Sequence, residues 1–251
     1  MLRGVHGGGN TSFVIWDLEF TAWEGSAQRS WLGFVPGTTQ REHREVIQIA
    51  ALWVTLRAPE SESCVMRHCH HSWTVISKAS LHLYVKPFIH HELSPYIQQL
   101  THITQDKIDR EGVELQVAMF RFLEFIRHHQ RADPIASKLS CVPMLSWGND
   151  WDHLEQSMRL HQKVFHSELW SLRPCARDAR EILWSAGFNT TGWSSGTIHR
   201  HPQISAATAG HVHDASWDTE SVLLALQALA RRGGRALHAL KSALGVNTRA
   251  S

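Results

Sequence analysis

The chain is poor in the features that mark several protein classes. Among its 251 residues only four are cysteine (Cys64, Cys69, Cys141 and Cys175), and their spacing shows no paired framework. A chain this long can bury a full core and needs no such staples, so a reducing compartment is the expectation. An excess of one charge is also missing: 25 Lys and Arg stand against 23 Asp and Glu, a net charge of +2. Affinity for nucleic acid would have to come from a local basic surface rather than from overall charge. No apolar run is long enough to span a bilayer, and Met1 to Asn10 lacks the apolar segment of a signal peptide. No internal repeat is visible. A composition of 43% hydrophobic and 19% charged residues excludes a disordered chain. These readings point to a soluble, intracellular, cytoplasmic protein without a membrane partner.

The pattern divides into a flexible N-terminus (1–11), a main domain (12–232) and a basic tail (233–251) bearing Arg235, Lys241 and Arg249. Residues 12–20 and 45–56 are apolar and β-prone, and a third strand near 80–86 ends at Pro87, together predicting an antiparallel meander. The period then changes. Ser94 and Pro95 open a short helix, and Leu115 to His128 places Val117, Phe120, Leu123 and Phe125 at helical spacing. Val142 to Trp147 reads as a fourth strand, Gly148-Asn149-Asp150 as a turn and cap, and a helix follows from about Asp152. Residues 176–186 predict a helix stopped by Gly187, 188–212 a polar loop, and 216–232 a helix with Val222, Leu223, Leu226 and Leu229 inward. Strands first, then alternating strand and helix, imply an α/β protein with a mixed sheet flanked by helices.

The chemistry begins at Asp17 and Glu19. On a strand, residues i and i+2 share a face, so both carboxylates leave a rigid element side by side. Asp150 and Asp152 follow the fourth strand, and Asp218 sits at the start of the last helix, five positions after His213. Convergence of Asp17, Glu19, Asp152 and Asp218 would be untenable without divalent cations, and hard ions such as Mg²⁺ prefer oxygen ligands. Two such ions roughly 3.5–4 Å apart can clamp the attacking and leaving oxygens of a phosphoryl displacement. A neutral His213 nearby could take a proton from water.

These residues resemble the motifs of DEDDh 3′–5′ exonucleases. The likeness is carried by Asp17-Leu18-Glu19-Phe20-Thr21-Ala22-Trp23-Glu24-Gly25-Ser26, Arg44 to Ile49, Leu100 to Gln105, Asp152, and His213 with Asp218. It is nearest to the histone-mRNA and small-RNA-trimming branch and its bacterial relatives, and covers residues 12–232. The resemblance implies an RNase H-like fold with a mixed five-stranded sheet, two Mg²⁺ or Mn²⁺ ions, and release of nucleoside 5′-monophosphates from single-stranded RNA or DNA 3′ ends. By position it makes Asp17, Glu19, Asp152 and Asp218 the metal ligands and His213 the general base. Phe20, Thr21 and Trp23, which follow the acids, could wedge against or stack on the terminal base. The alternative is Phe20 in the core and Trp23 as a loop anchor. Ile103 is a further candidate contact to the substrate. Two departures stand out. His102 occupies a position that is usually glycine, and the extra Asn149 leaves both Asp150 and Asp152 as candidates, with Asp152 favoured.

The competing class is a non-catalytic nucleic-acid- or partner-binding module on the same fold. Other histidines invite other readings. Cys64, His68, Cys69, His70 and His71 could suggest zinc, but no Cys-x-x-Cys repeat supports it. His199-Arg200-His201 is a basic piece that could touch phosphate, and His161 and His166 are expected at the surface.

Overall fold

Side-chain alternation along the first strand sets the architecture. In the computed structural model, residues 10–26, 33–57, 74–134, 136–161, 167–204, 210–232 and 234–245 are described. Strand β1 (Thr11–Phe20) is buried along its whole length. Its odd residues Phe13 and Ile15 enter one apolar cluster, and its even residues Val14, Trp16, Leu18 and Phe20 enter another. A strand buried on both faces must lie centrally with a layer on each side. It pairs antiparallel with β2 (Val46–Arg57) and parallel with β5 (Met144–Ser146). The sheet is completed by β3 (Thr74–Lys86), β4 (Val113–Glu114) and β6 (Ala176–Asp178), in the order β4-β3-β2-β1-β5-β6.

Helices cover both faces. The even face of β1 packs on Leu115, Phe122 and Ile126 of α3 (Leu115–Ala132) and on Trp151 and Leu154 of α4 (Asp150–Leu160). The odd face packs on α6 (Ala179–Ser185), α7 (Ala215–Arg232) and α8 (Gly234–Ala243), whose Leu240 is buried together with Leu244 just beyond. Val222, Leu223, Leu226 and Leu229 all point inward from α7. A third cluster joins Ile47 and Tyr84 to α1 (Pro95–Thr101) and α2 (Gln105–Glu111). The Ser94 hydroxyl caps α1, accepting from the Ile97 N–H at 3.1 Å with Pro95 in the first turn. A short helix, α5 (Ser167–Trp170), completes the set.

Several expectations change. The sheet has six strands rather than five, because β4 and β6 are too short to show a period. Strand β3 begins at Thr74, ahead of the predicted start. On α3 the buried face is Leu115, Ala118, Met119, Phe122, Leu123 and Ile126, leaving Val117 and Phe120 exposed. Cys141 and Cys175 are joined by a disulfide, which overturns the expectation of unpaired cysteines for these two. Cys64 and Cys69, the rest of the zinc reading and His166 lie outside the described residues. His161, expected at the surface, is buried against Phe88. Among the described residues no helix is long and apolar enough to cross a membrane.

Glu45 ties the sheet to the segment that leads into α1. It is fully buried, and its two carboxylate oxygens accept the backbone N–H groups of Phe88, Ile89 and His90 at 2.6–2.8 Å. Removing the charge leaves three donors poorly matched. Glu45→Gln is expected to lower the unfolding free energy by roughly 1–3 kcal/mol, and Glu45→Ala by more, read from urea denaturation midpoints.

Candidate metal centre

Asp17 and Glu19 continue the odd row of β1 toward its C-terminal end and are nearly inaccessible. The odd face is the one that α7 covers, and Asp218 of α7 is also buried there. Oxygen or nitrogen atoms of Glu19, His213 and Asp218 all lie within 4.8 Å of one another. The fourth acid comes from the N-terminus of α4, immediately after β5, the parallel neighbour of β1.

That acid is Asp150, and the expectation that favoured Asp152 is corrected. Asp150 is buried and its charge acts on both Asp17 and Glu19. Asp152 is exposed and pairs with Arg173, Nη2 to Oδ1 at 3.2 Å. Helix geometry supplies the reason. At about 100° per residue, positions i and i+2 lie about 200° apart, so the two acids face opposite ways. Between them, Trp151 packs edge-on to Trp16 at 5.8 Å.

The carboxylates are electrostatically strained as a group. Burial, then the charges of Asp150, Asp218 and Glu19, hold the Asp17 carboxyl well above the usual carboxylate range. Glu19 is raised by burial and by Asp218 and Asp150, against a smaller opposing effect of Arg44. Burial pushes Asp150 up to about 7 although Arg44 opposes it. Asp218 also reaches about 7 through burial, despite a 2.9 Å bond from the Ser195 hydroxyl and backbone donors at His213 and Gly196. Oδ2 of Asp150 and Oδ1 of Asp218 are buried with no hydrogen-bond partner among the described residues. Orphaned acceptors among crowded acids suit a hard divalent cation, so the residues fit a metal such as Mg²⁺ or Mn²⁺. His213 responds to burial in the opposite sense: its pKa is lowered, which favours the neutral imidazole at pH 7.

Local structure fixes these groups. The N–H of Asp214 bonds the His211 carbonyl at 3.1 Å, closing a turn whose third residue, His213, has φ 67°. Asp214 then caps α7 by accepting from the Ser216 N–H. The Gln48 amide holds this start from β2, donating to Asp214 and accepting from the Ala215 N–H at 3.0 Å. Gly196 leaves no room for a side chain, since a Cβ there would lie 2.3 Å from Asp218 Oδ1. Arg44 stacks its guanidinium 4.7 Å above the Phe20 ring and places Nη1 2.5 Å from His153 Nε2. Nothing in the sequence pattern had singled out Ser195 or Gly196, and Arg44 had entered only as part of the motif resemblance, without a role at the site.

The residues expected around a terminal nucleotide are all buried: Phe20, Thr21, Trp23 and Ile103. The Thr21 hydroxyl is engaged by the backbone, donating to His43 O and accepting from Glu45 N. Ile103 packs in the cluster with Ile97 and Ile108. Trp23 meets His90 edge-on at 4.5 Å and lines a cleft of about 700 Å³ together with Tyr96. His199 and His201 turn inward, His199 onto Ser221 and Trp217, and His201 against Trp193, so only Arg200 of that piece is exposed.

Comparison with known proteins agrees with this fold. The chain has the fold of DEDDh 3′–5′ exonucleases. The nuclease domain of 3′hExo bound to rAMP, described as a DEDDh family member, matches with TM-score 0.57 at 15% identity, covering 90% of this chain and 95% of that one. A 3′-exonuclease recognising the 3′ end of a histone mRNA stem-loop matches with TM-score 0.58 at 16% identity, over 90% and 84% of the two chains. In sequence, the 3′–5′ exonuclease Snipper of Drosophila melanogaster is 27% identical over 143 residues, 54% of this chain and 41% of that protein. No family model matches the chain.

The raised carboxyls set a testable pH dependence. A carboxyl that binds its proton more tightly folded than unfolded makes the metal-free protein lose stability as pH rises from about 4, the unfolded value, toward about 7. Without divalent ions, the melting temperature is therefore expected to fall across that window, and Mg²⁺ or Mn²⁺ should restore it at pH 7.5. Asp150→Asn should raise the metal-free melting temperature and abolish the metal-induced rise, while Asp152→Asn should alter neither. Differential scanning calorimetry with and without EDTA reads both.

Proposed function

We propose that this chain is a divalent-metal-dependent 3′–5′ exonuclease that hydrolyses the terminal phosphodiester bond of single-stranded RNA or DNA and releases nucleoside 5′-monophosphates. Residues 12–232 carry the catalytic groups in this reading, and beyond them Leu240 of α8 and the following Leu244 pack into the same core. The observation that carries it is the burial of Asp17, Glu19, Asp150 and Asp218 together, beside a neutral imidazole, in this fold. In this assignment the four acids hold two Mg²⁺ or Mn²⁺ ions. Bound divalent ions would supply an acidified water and offset charge developing on the phosphoryl and leaving oxygens.

The chain's own residues do the rest. His213, kept neutral by burial, accepts the proton of the attacking water at an imidazole nitrogen. Ser195 and the Gly196 backbone hold Asp218 in place, with its carboxylate within 4.8 Å of ligand atoms of Glu19 and His213. Arg44, braced by Phe20 and His153, adds a fixed positive charge beside Glu19 and Asp150. RNA is the favoured substrate, supported by the likeness to proteins whose structures concern a histone mRNA end and rAMP.

A 3′-labelled oligonucleotide incubated with Mg²⁺ should yield labelled mononucleotide from the wild type and none in EDTA. Asp17→Ala should be inert, and His213→Ala should lose roughly 10²- to 10⁴-fold in kcat, the usual worth of a positioned general base. Inertness of the wild type equal to that of Asp17→Ala, on matched RNA and DNA, would favour a non-catalytic binding module.

A further inference from the structure

Among the described residues, two that are not glycine have positive φ: His102 at 58° and His213 at 67°. A left-handed conformation is uncommon for a side chain of this size, and its persistence requires something in the surroundings to hold it. His102 is the C-cap of α1, where glycine is the usual occupant. Its ring makes an edge-to-face contact with His211, centroids 5.3 Å apart. His211 is the first residue of the turn whose third residue is His213, and its carbonyl accepts the N–H of Asp214. The two strained positions are thus linked through one aromatic contact and one four-residue turn.

We propose that His102 is a positioning residue for His213, bracing the turn that presents the imidazole to the acids. The turn is held from three directions. At its far end the Gln48 amide grips Asp214 and Ala215. Before it, Gly210 lies so close to the Trp217 ring that a Cβ there would be 2.0 Å away. On the side of α1 and α2, His102 meets His211. Gln48 and Gly210 restrain backbone on either side of the turn, whereas the His102 ring bears on the side chain of its first corner. Loss of that contact leaves the His213 imidazole free to swing relative to Asp218 and Glu19, and a displacement of about 1 Å at a reacting group can cost a hundredfold in rate. The reading rests on the exonuclease assignment for its kinetic consequences but not for its structural ones.

The tests exploit an opposition between stability and rate. His102→Gly relieves the left-handed backbone, so its melting temperature should equal or exceed that of the wild type. Its kcat at saturating Mg²⁺ should nevertheless fall about three- to thirtyfold with KM within about twofold, the pattern of a group acting on the reaction step and not on binding. His102→Asn tolerates the same backbone but is too short to keep the ring contact, and should match the glycine variant. His102→Phe should recover most of the rate. In a His213→Ala background, His102→Gly should cost nothing further. Hydrogen exchange at the Asp214 amide should accelerate in His102→Gly, a readout that needs no activity. Unchanged exchange at Asp214, an undiminished kcat in an active enzyme, or an equal loss in the His213→Ala background would each overturn the brace. An inert wild type would sink the exonuclease assignment instead, leaving the exchange result to decide the brace alone.

Discussion

The structure depends on forcing mutually repelling carboxylates into a space almost closed to water. Strand β1 is central and buried on both faces, so its period of two leaves Asp17 and Glu19 no solvated direction. A slip of one residue would send both acids into the α3 and α4 layer and bring Trp16 and Leu18 out of it, which the apolar rows on either side forbid. The apolar core thus specifies the position of the acids more firmly than any interaction of the acids themselves. Ser195, two backbone donors and Arg44 offset only part of the desolvation, as the raised pKa values of all four groups show.

Each remaining acid is brought to that point by a short-range device. Asp150 is delivered by a glycine turn: Gly148 has φ 85°, a backbone that favours glycine, and the Arg180 guanidinium packs where a Cβ would lie, 2.8 Å away. Arg180 is itself held by Asp178, which also accepts the Gly148 N–H. Asp218 is delivered by the capped start of α7, fixed to β2 through Gln48. The ends of β1, β2 and β5 therefore act as one platform, and the loops only orient what the strands have already gathered.

Much of this was legible in the linear pattern. The long apolar strands and the inward face of α7 have unbroken periods, and their assignments hold in the structure. What was not legible failed for identifiable reasons. Strands β4 and β6 are two and three residues long, below any detectable period. On α3 the apolar residues occupy both faces, so spacing alone does not choose between Phe120 and Phe122. The rule that brings residues i and i+2 together is right for Asp17 and Glu19 on a strand and wrong for Asp150 and Asp152 on a helix. The choice between the latter turned on where α4 begins, and helix boundaries are the least certain part of a pattern. Ser195 and Gly196 carry no local signature, because their role exists only after the loop meets α7.

The same burial acts on the acids and on the imidazole with opposite sense, and that opposition gives the site its chemical logic. Withdrawing water penalises charge, so it pushes the carboxyls toward the protonated form and His213 toward the unprotonated one. A base must be neutral to accept a proton, whereas metal-ligating carboxyls must be ionised. In the proposed reading, burial therefore prepares His213 to act as the base and leaves the acids to be ionised only on cation binding. Bound cations would reverse the carboxyl shifts and, by adding positive charge nearby, would reinforce the neutrality of His213. One physical cause thus disfavours the ion-free site at each carboxyl and, in the proposed reading, would favour cation binding there.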